Sequence, residues 1–161
     1  MADKQQAAPQ KEEEQKSIQP QKIYLKDVSF ETPNSPDIFL QEWKPHLEVE
    51  VGYNGATTPD GLHEVVLVLT ATVKVDNETA YLAEVHQAGI FSITGHSPDD
   101  FQRIHMTYCH RFLYPYACAA ISDLVTKGGF QQLLLSPINF DLIYKRRLEE
   151  AKTAGVASAK E

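Results

Sequence analysis

Long apolar runs are missing from this sequence. Nothing in its 161 residues approaches the roughly 18 consecutive apolar positions that a membrane-spanning helix requires. The opening segment MADKQQAAPQKEEEQKS also lacks the apolar stretch of a signal peptide. Cysteine is scarce: Cys109 and Cys118 make no disulfide framework. At about 100° per residue, their spacing puts them on opposite sides of one helix. A reduced, cytosolic protein is the expectation. There is no glycine-rich phosphate loop, since Gly128-Gly129 follows a helical pattern and reads as its cap. No CxxC pair occurs, and the spacing of His105 and His110 does not bring two ligands onto one helix face. No metal and no cofactor are expected. Cys109 and His110 are adjacent, so on a helix they point about 100° apart and do not form a nucleophile and its base. Asp27, Glu31 and Glu84 are acids on a face with no evident pocket, so solvated carboxylates are the default and no enzyme activity is expected.

Basic residues are few in the first half. Residues 17–98 hold four Lys/Arg against eleven Asp/Glu, which accounts for a charge equal to the whole chain's −7. Such a surface repels phosphate backbones and anionic lipid, which argues against nucleic-acid and membrane partners. Residues 145–161 reverse the balance, with five basic and three acidic groups.

The remaining pattern is that of one folded domain, 19–150, between a disordered arm, 1–18, and a flexible tail, 151–161. The arm is Gln, Lys, Glu, Ala and Pro with almost nothing apolar. KIYLKDVSFETPNSP then reads as a strand stopped by Pro33 and Pro36. Strict alternation would put Tyr24, Lys26, Val28 and Phe30 on one face and Ile23, Leu25, Asp27, Ser29 and Glu31 on the other. The second face would begin apolar and end in two carboxylates about 13 Å apart. A loop with Phe39, Leu40 and Trp43 leads to a half-buried strand with Leu47, Val49, Val51 and Tyr53 on one side. A long hairpin follows, turning at Asp76-Asn77-Glu78. Its outgoing strand is apolar on both faces at first, through Val66 and Val68, so helices or another subunit should cover the second face. On that ground Ala83, Val85 and Gln87, with the small-residue helix stripe Ala117, Ala120 and Ile121, are expected at an oligomer interface.

Helices complete the chain. Ser97-Pro98 with two following acids is an N-cap and first turn. Pro115 is expected to break or kink this helix. After an extended crossing, NFDLIYKRRLEEAK is a last amphipathic helix. Four strands followed by helices predict an α+β fold with an antiparallel sheet.

The segments IYLKDVSFETPNSP, EVHQAGIFSITG, LYPYA and LLLSPINFD, in this order, resemble the bacterial SecB export chaperones over about residues 23–148. The resemblance implies a four-stranded antiparallel sheet with helices on one face, assembled as a dimer of dimers. It implies an ATP-independent cytosolic chaperone that binds unfolded precursor proteins and delivers them to SecA for export through the Sec translocon. The related alternative is a generic holdase or antitoxin-controlling chaperone on the same fold. On the resemblance, Asp27, Glu31, Leu82 and Glu84 would dock the carboxy-terminal zinc-binding segment of SecA. Trp43, Leu47, Val49, Val51, Phe140, Ile143 and Tyr144 would line the groove for unfolded clients, although an amphipathic strand does not distinguish groove from core. The chain departs from the family pattern at His110 and Gln131, where Pro is common, and at Cys118, where Arg often stands.

Overall fold

A computed structural model describes residues 15–158. Strands β1 (Ser17–Glu31), β2 (His46–Thr57), β3 (His63–Val75) and β4 (Glu78–Thr94) form one antiparallel sheet in the order β1-β4-β3-β2. The helical segments are α1 (Pro98–Ile104), a π-helical turn over His105–Cys109, α2 (His110–Lys127) and α3 (Phe140–Ser158). This is the α+β arrangement that the pattern predicts. The β3–β4 hairpin turns at Asp76 and Asn77, both with positive φ (47° and 65°). That geometry matches the twist of paired strands, and Asp and Asn tolerate it.

The core lies between the sheet and α2. Val65, Leu67, Leu69, Ala71 and Val73 of β3 and Ala83 and Val85 of β4 are buried with Leu113, Ala117, Ile121 and Val125 of α2. β-branched and aliphatic residues on alternate positions of β3 make one face of the strand fully apolar, and the helix stripe closes over it. At one end of this core, Phe130 packs on Tyr81, Phe39 and Trp43, with ring centroids 4.8, 4.9 and 5.7 Å away. The helices gather on this inner face.

Ser97 caps α1 as expected, its hydroxyl accepting from the Asp100 N–H at 3.2 Å. Pro115 does not end the helix: α2 continues through it to Lys127, and Gly129 at φ +87° terminates it. The π-helical turn immediately upstream already departs from regular α hydrogen bonding, as such single turns do.

Three further expectations change. The strand begins at Ser17, inside the span assigned to the arm, while residues 1–14 lie outside the described residues. α3 runs to Ser158 through most of the segment assigned to a flexible tail, where Glu149, Glu150, Ala151, Lys152 and Ala154 are good helix formers. Ala83, Val85, Ala117 and Ile121 are fully buried and Gln87 is 3% exposed within the single chain. They face α2 or the sheet within this chain, which itself supplies cover that was expected from another subunit; Ala120 is half-buried. The apolar positions that raised that expectation, Val66 and Val68, belong to the opposite face, where Val66 is 3% exposed. There Tyr24, paired with Ala88, hydrogen-bonds to Glu64, two residues from Val66.

Candidate functional site

The register of β1 against β4 decides what the outer face displays. Pairing advances by two residues on β1 and one on β4 between Pro20 and Lys22, and again between Leu25 and Asp27. Gln21 and Lys26 are therefore the extra residues of two β-bulges, and each shifts the side-chain alternation by one. The first strand does not carry a face that turns from apolar to acidic. Ile23, Leu25, Val28 and Phe30 share the inner face, where Phe30 stacks on Tyr81 at 5.9 Å. Tyr24, Asp27, Ser29 and Glu31 share the outer one. The adjacent polar pair Lys26-Asp27 between two apolar residues was the signal available in the sequence.

The four residues assigned to partner docking are brought together. Asp27 pairs with His86, Ser29 with Glu84 and Glu31 with Leu82, which sets three carboxylates and a half-buried leucine on one patch of the outer face. Glu84 is held in place: one oxygen accepts from the Thr70 hydroxyl at 3.0 Å and the other meets His86 Nε2 at 2.8 Å. Hydrogen bonding to His86, then to Thr70, holds its carboxyl below the usual range, so it stays ionised. His86 and Thr70 were not assigned from the sequence. Beyond this patch, Glu64 is bonded to Lys26 Nζ at 2.8 Å and to the Tyr24 hydroxyl, which lowers the Glu64 carboxyl and pushes Tyr24 up to about 12.

The residues assigned to client binding are on the other face. Leu47, Val49 and Val51 pair with Val73, Ala71 and Leu69 and point toward the helices, as does their face neighbour Tyr53, which pairs with Leu67 and is not among the residues assigned to clients. β2 is an edge strand and α2 lies mainly against β4 and β3. Leu47 and Val49 consequently remain 38% and 39% exposed, while Val51 is half-buried. The strip spans about 20 Å, at roughly 3.3 Å per residue. Trp43 against Phe130 bounds one end, and at the other the Arg147 guanidinium lies 4.2 Å above the Tyr53 ring. Ile143 and Tyr144 are half-buried on α3. Phe140 is not part of this exposed strip. It is 1% exposed and packs on Tyr114 and His110, with centroids 5.7 and 6.2 Å away, at the start of α3, where Asn139 Oδ1 accepts from the Leu142 N–H at 3.0 Å. The crossing before it is fastened to α2 by the Tyr114 hydroxyl, which donates to the Ser136 carbonyl at 2.6 Å.

Behind Tyr53 sits a group of imidazoles. His110 is fully buried, and its Nδ1 donates to the His105 carbonyl at 2.7 Å, leaving Nε2 without a partner. Burial pushes the His110 pKa down to about 4 and lowers His105 and His63 as well. Burial also pushes the neighbouring Cys109 thiol up to about 12, so it is inert as a nucleophile at neutral pH.

Compared with known proteins, residues 11–151 match the family described as preprotein translocase subunit SecB. The chain belongs to the SecB family. Among its relatives is the protein-export protein SecB of Nitrosococcus oceani, 46% identical over 87% of this chain and 87% of that one. That of Idiomarina loihiensis is 46% identical over 93% and 92%, and that of Marinobacter nauticus 40% over 100% and 98%. A solved structure of the Mycobacterium tuberculosis SecB-like chaperone, in complex with an antitoxin peptide, superposes with a TM-score of 0.63 over 76% of this chain and 91% of that one. At 15% identity it supports the SecB fold alone. The chaperone role in protein export that the sequence motifs imply therefore stands for this SecB chain. None of its described helices is long and apolar enough to cross a membrane.

Proposed function

We propose that this protein is an ATP-independent chaperone of the bacterial cytoplasm that holds unfolded precursor proteins and hands them to SecA. The observation that carries this reading is the separation of two surfaces. An acidic patch with Asp27, Glu31, Leu82 and Glu84 occupies the outer face, and the exposed apolar strip with Leu47 and Val49 lies on the helix-bearing face. A broad aliphatic strip suits many sequences, since burial of apolar area is non-directional. The patch suits one basic partner: exposed charge pairs contribute only about 0–1 kcal/mol each, so they set encounter and orientation while Leu82 burial adds affinity. Trp43, Val51, Ile143 and Tyr144 extend the strip, and Phe140 supports it from beneath.

Assembly into a dimer of dimers belongs to the same proposal. Its support is the unpaired edge of β1, where Leu25 and Val28 remain 52% and 43% exposed on the inner face. Two or more copies of the patch would raise the apparent affinity for a multivalent partner.

Titrating the protein with an unfolded preprotein, with and without SecA, tests the reading. The expected result is a ternary complex at saturating client. A generic holdase, or a chaperone that serves an antitoxin, would bind client and show no SecA complex. Sedimentation at micromolar concentration, if it gave a stable 18.1 kDa monomer, would remove the assembly.

A further inference from the structure

We infer that His86 is a positioning residue of the docking patch whose protonation weakens the binding of a basic partner. This inference rests on the docking reading above. His86 stands between two of the patch carboxylates: Glu84 Oε1 lies 2.8 Å from its Nε2, and Asp27 is its in-register neighbour across β1. Neither imidazole nor carboxylate is lost to the interior, with side chains 27% and 37% exposed. Neutral His86 donates one hydrogen bond to Glu84, and the Thr70 hydroxyl fixes the other oxygen at 3.0 Å. Glu84 is thus presented in one orientation with its charge intact.

An imidazole gains its charge within the range pH 5 to 8. In the protonated state two effects act in the same direction. The hydrogen bond becomes an ion pair, which draws the Glu84 charge toward its own neighbour and away from an incoming cation. The added charge also lowers the sum over Asp27, Glu31, Glu84 and His86 from −3 to −2. The other charged groups around His86 do not reverse this. Lys26 of β1 is engaged by Glu64 of β3 at 2.8 Å, and from β2 the nearest outer-face acid is Glu50, paired with Thr70. On its own strand the neighbour is Glu84, and its β3 register partner is the uncharged Val68.

The test uses the full-length protein and the SecA carboxy-terminal zinc-binding segment, with affinity measured from pH 8 to pH 6 at fixed ionic strength. His86→Gln keeps a donor of similar size and cannot charge. Between pH 8 and 6 the wild type should lose more affinity than H86Q, by up to about fivefold, the weight of one full unit charge at contact distance in water. Any titration of the segment itself is common to both and cancels. Parallel pH profiles for the two proteins overturn the role of His86 while leaving the docking reading intact. Absence of binding by both proteins at pH 8 overturns the docking reading and this inference with it.

Discussion

His110 makes the protein sensitive to acid in a window where carboxylates are still ionised. Its imidazole is fully buried, with Nδ1 donating to the His105 carbonyl, and its ring lies edge-on to that of Tyr53, with centroids 4.7 Å apart. The cation has no anionic partner there, since the nearest charges are the Arg147 guanidinium and the His105 ring. Folding therefore favours the neutral form, and the pKa falls from 6.5 to about 4. A group whose folded pKa is depressed below its unfolded one contributes stability that is complete above the unfolded value and is lost as pH falls toward the folded one. At about 1.4 kcal/mol per decade, His110 alone removes about 2 kcal/mol between pH 7 and 4.5. His105 and His63 add to this with the same sign. The depressed carboxylates Glu64 and Glu84 act only at still lower pH. For a domain with about 5–15 kcal/mol in total, the loss is a substantial share.

Urea unfolding followed by Trp43 fluorescence at pH 7, 6, 5 and 4.5, at one protein concentration, measures this slope. His110→Phe keeps a ring against Tyr53 and Phe140 and cannot be protonated. It should be less stable than the wild type at pH 7 by about 1 kcal/mol, for the lost hydrogen bond, and its profile toward pH 4.5 should be distinctly flatter. The imidazole resonances of the wild type report the same quantity directly and require no variant. Equal slopes for the two proteins, with His110 titrating near 6.5, would refute the reasoning.

Three further outcomes are expected. Val49→Glu should weaken capture of an unfolded client at least tenfold and change stability by no more than about 0.5 kcal/mol, as for a surface change; a variant that unfolds shows that Val49 is core. Phe140→Ala should cost about 3–5 kcal/mol in urea unfolding, the usual range for a buried aromatic, and a change confined to client affinity would return Phe140 to the groove. Gly128→Ala should destabilise by about 1–3 kcal/mol through overpacking, since its Cβ would lie 2.2 Å from Phe30 Cζ, and an unchanged urea midpoint would mean that the Phe30 ring moves aside freely.

The sequence carried the order of elements because each has a local cause. Alternation marks β2, and Asp76-Asn77 supplies a turn that only such residues make easily. Ser97-Pro98 starts a helix, and Gly129 ends one. Period two also placed Asp27 with Glu31 on one face of β1 and Leu82 with Glu84 on one face of β4, while their assignment to docking is what the family resemblance implies. What the sequence did not carry depends on pairing. Ala83 and Val85 look like any small apolar pair until the sheet order shows that β4 is central and lies beneath α2. Leu47 and Val49 have the same pattern as core residues and are exposed only because β2 is an edge. Phe140 has the helical spacing of Ile143 and Tyr144 but stands at the first turn, where the crossing delivers it into the interior.

The bulge at Lys26 gives β1 a parity. With the extra residue in place, the strand sends Leu25 and Val28 to one side and Asp27 and Glu31 to the other, although the members of each pair are separated by an odd and an even step. Deleting Lys26 alone would restore strict alternation and keep both faces, since Leu25 and Asp27 already pair with the adjacent β4 residues Gln87 and His86. The loss would be the Lys26 ion pair with Glu64 rather than the pattern of the strand. Removing one residue at a regularly paired position, Ser29 for instance, would instead turn every residue on one side of the gap onto the wrong face. Loss of one residue should therefore be tolerated at position 26 and not between Val28 and Glu31, a difference that a single-residue deletion library selected for export activity would reveal.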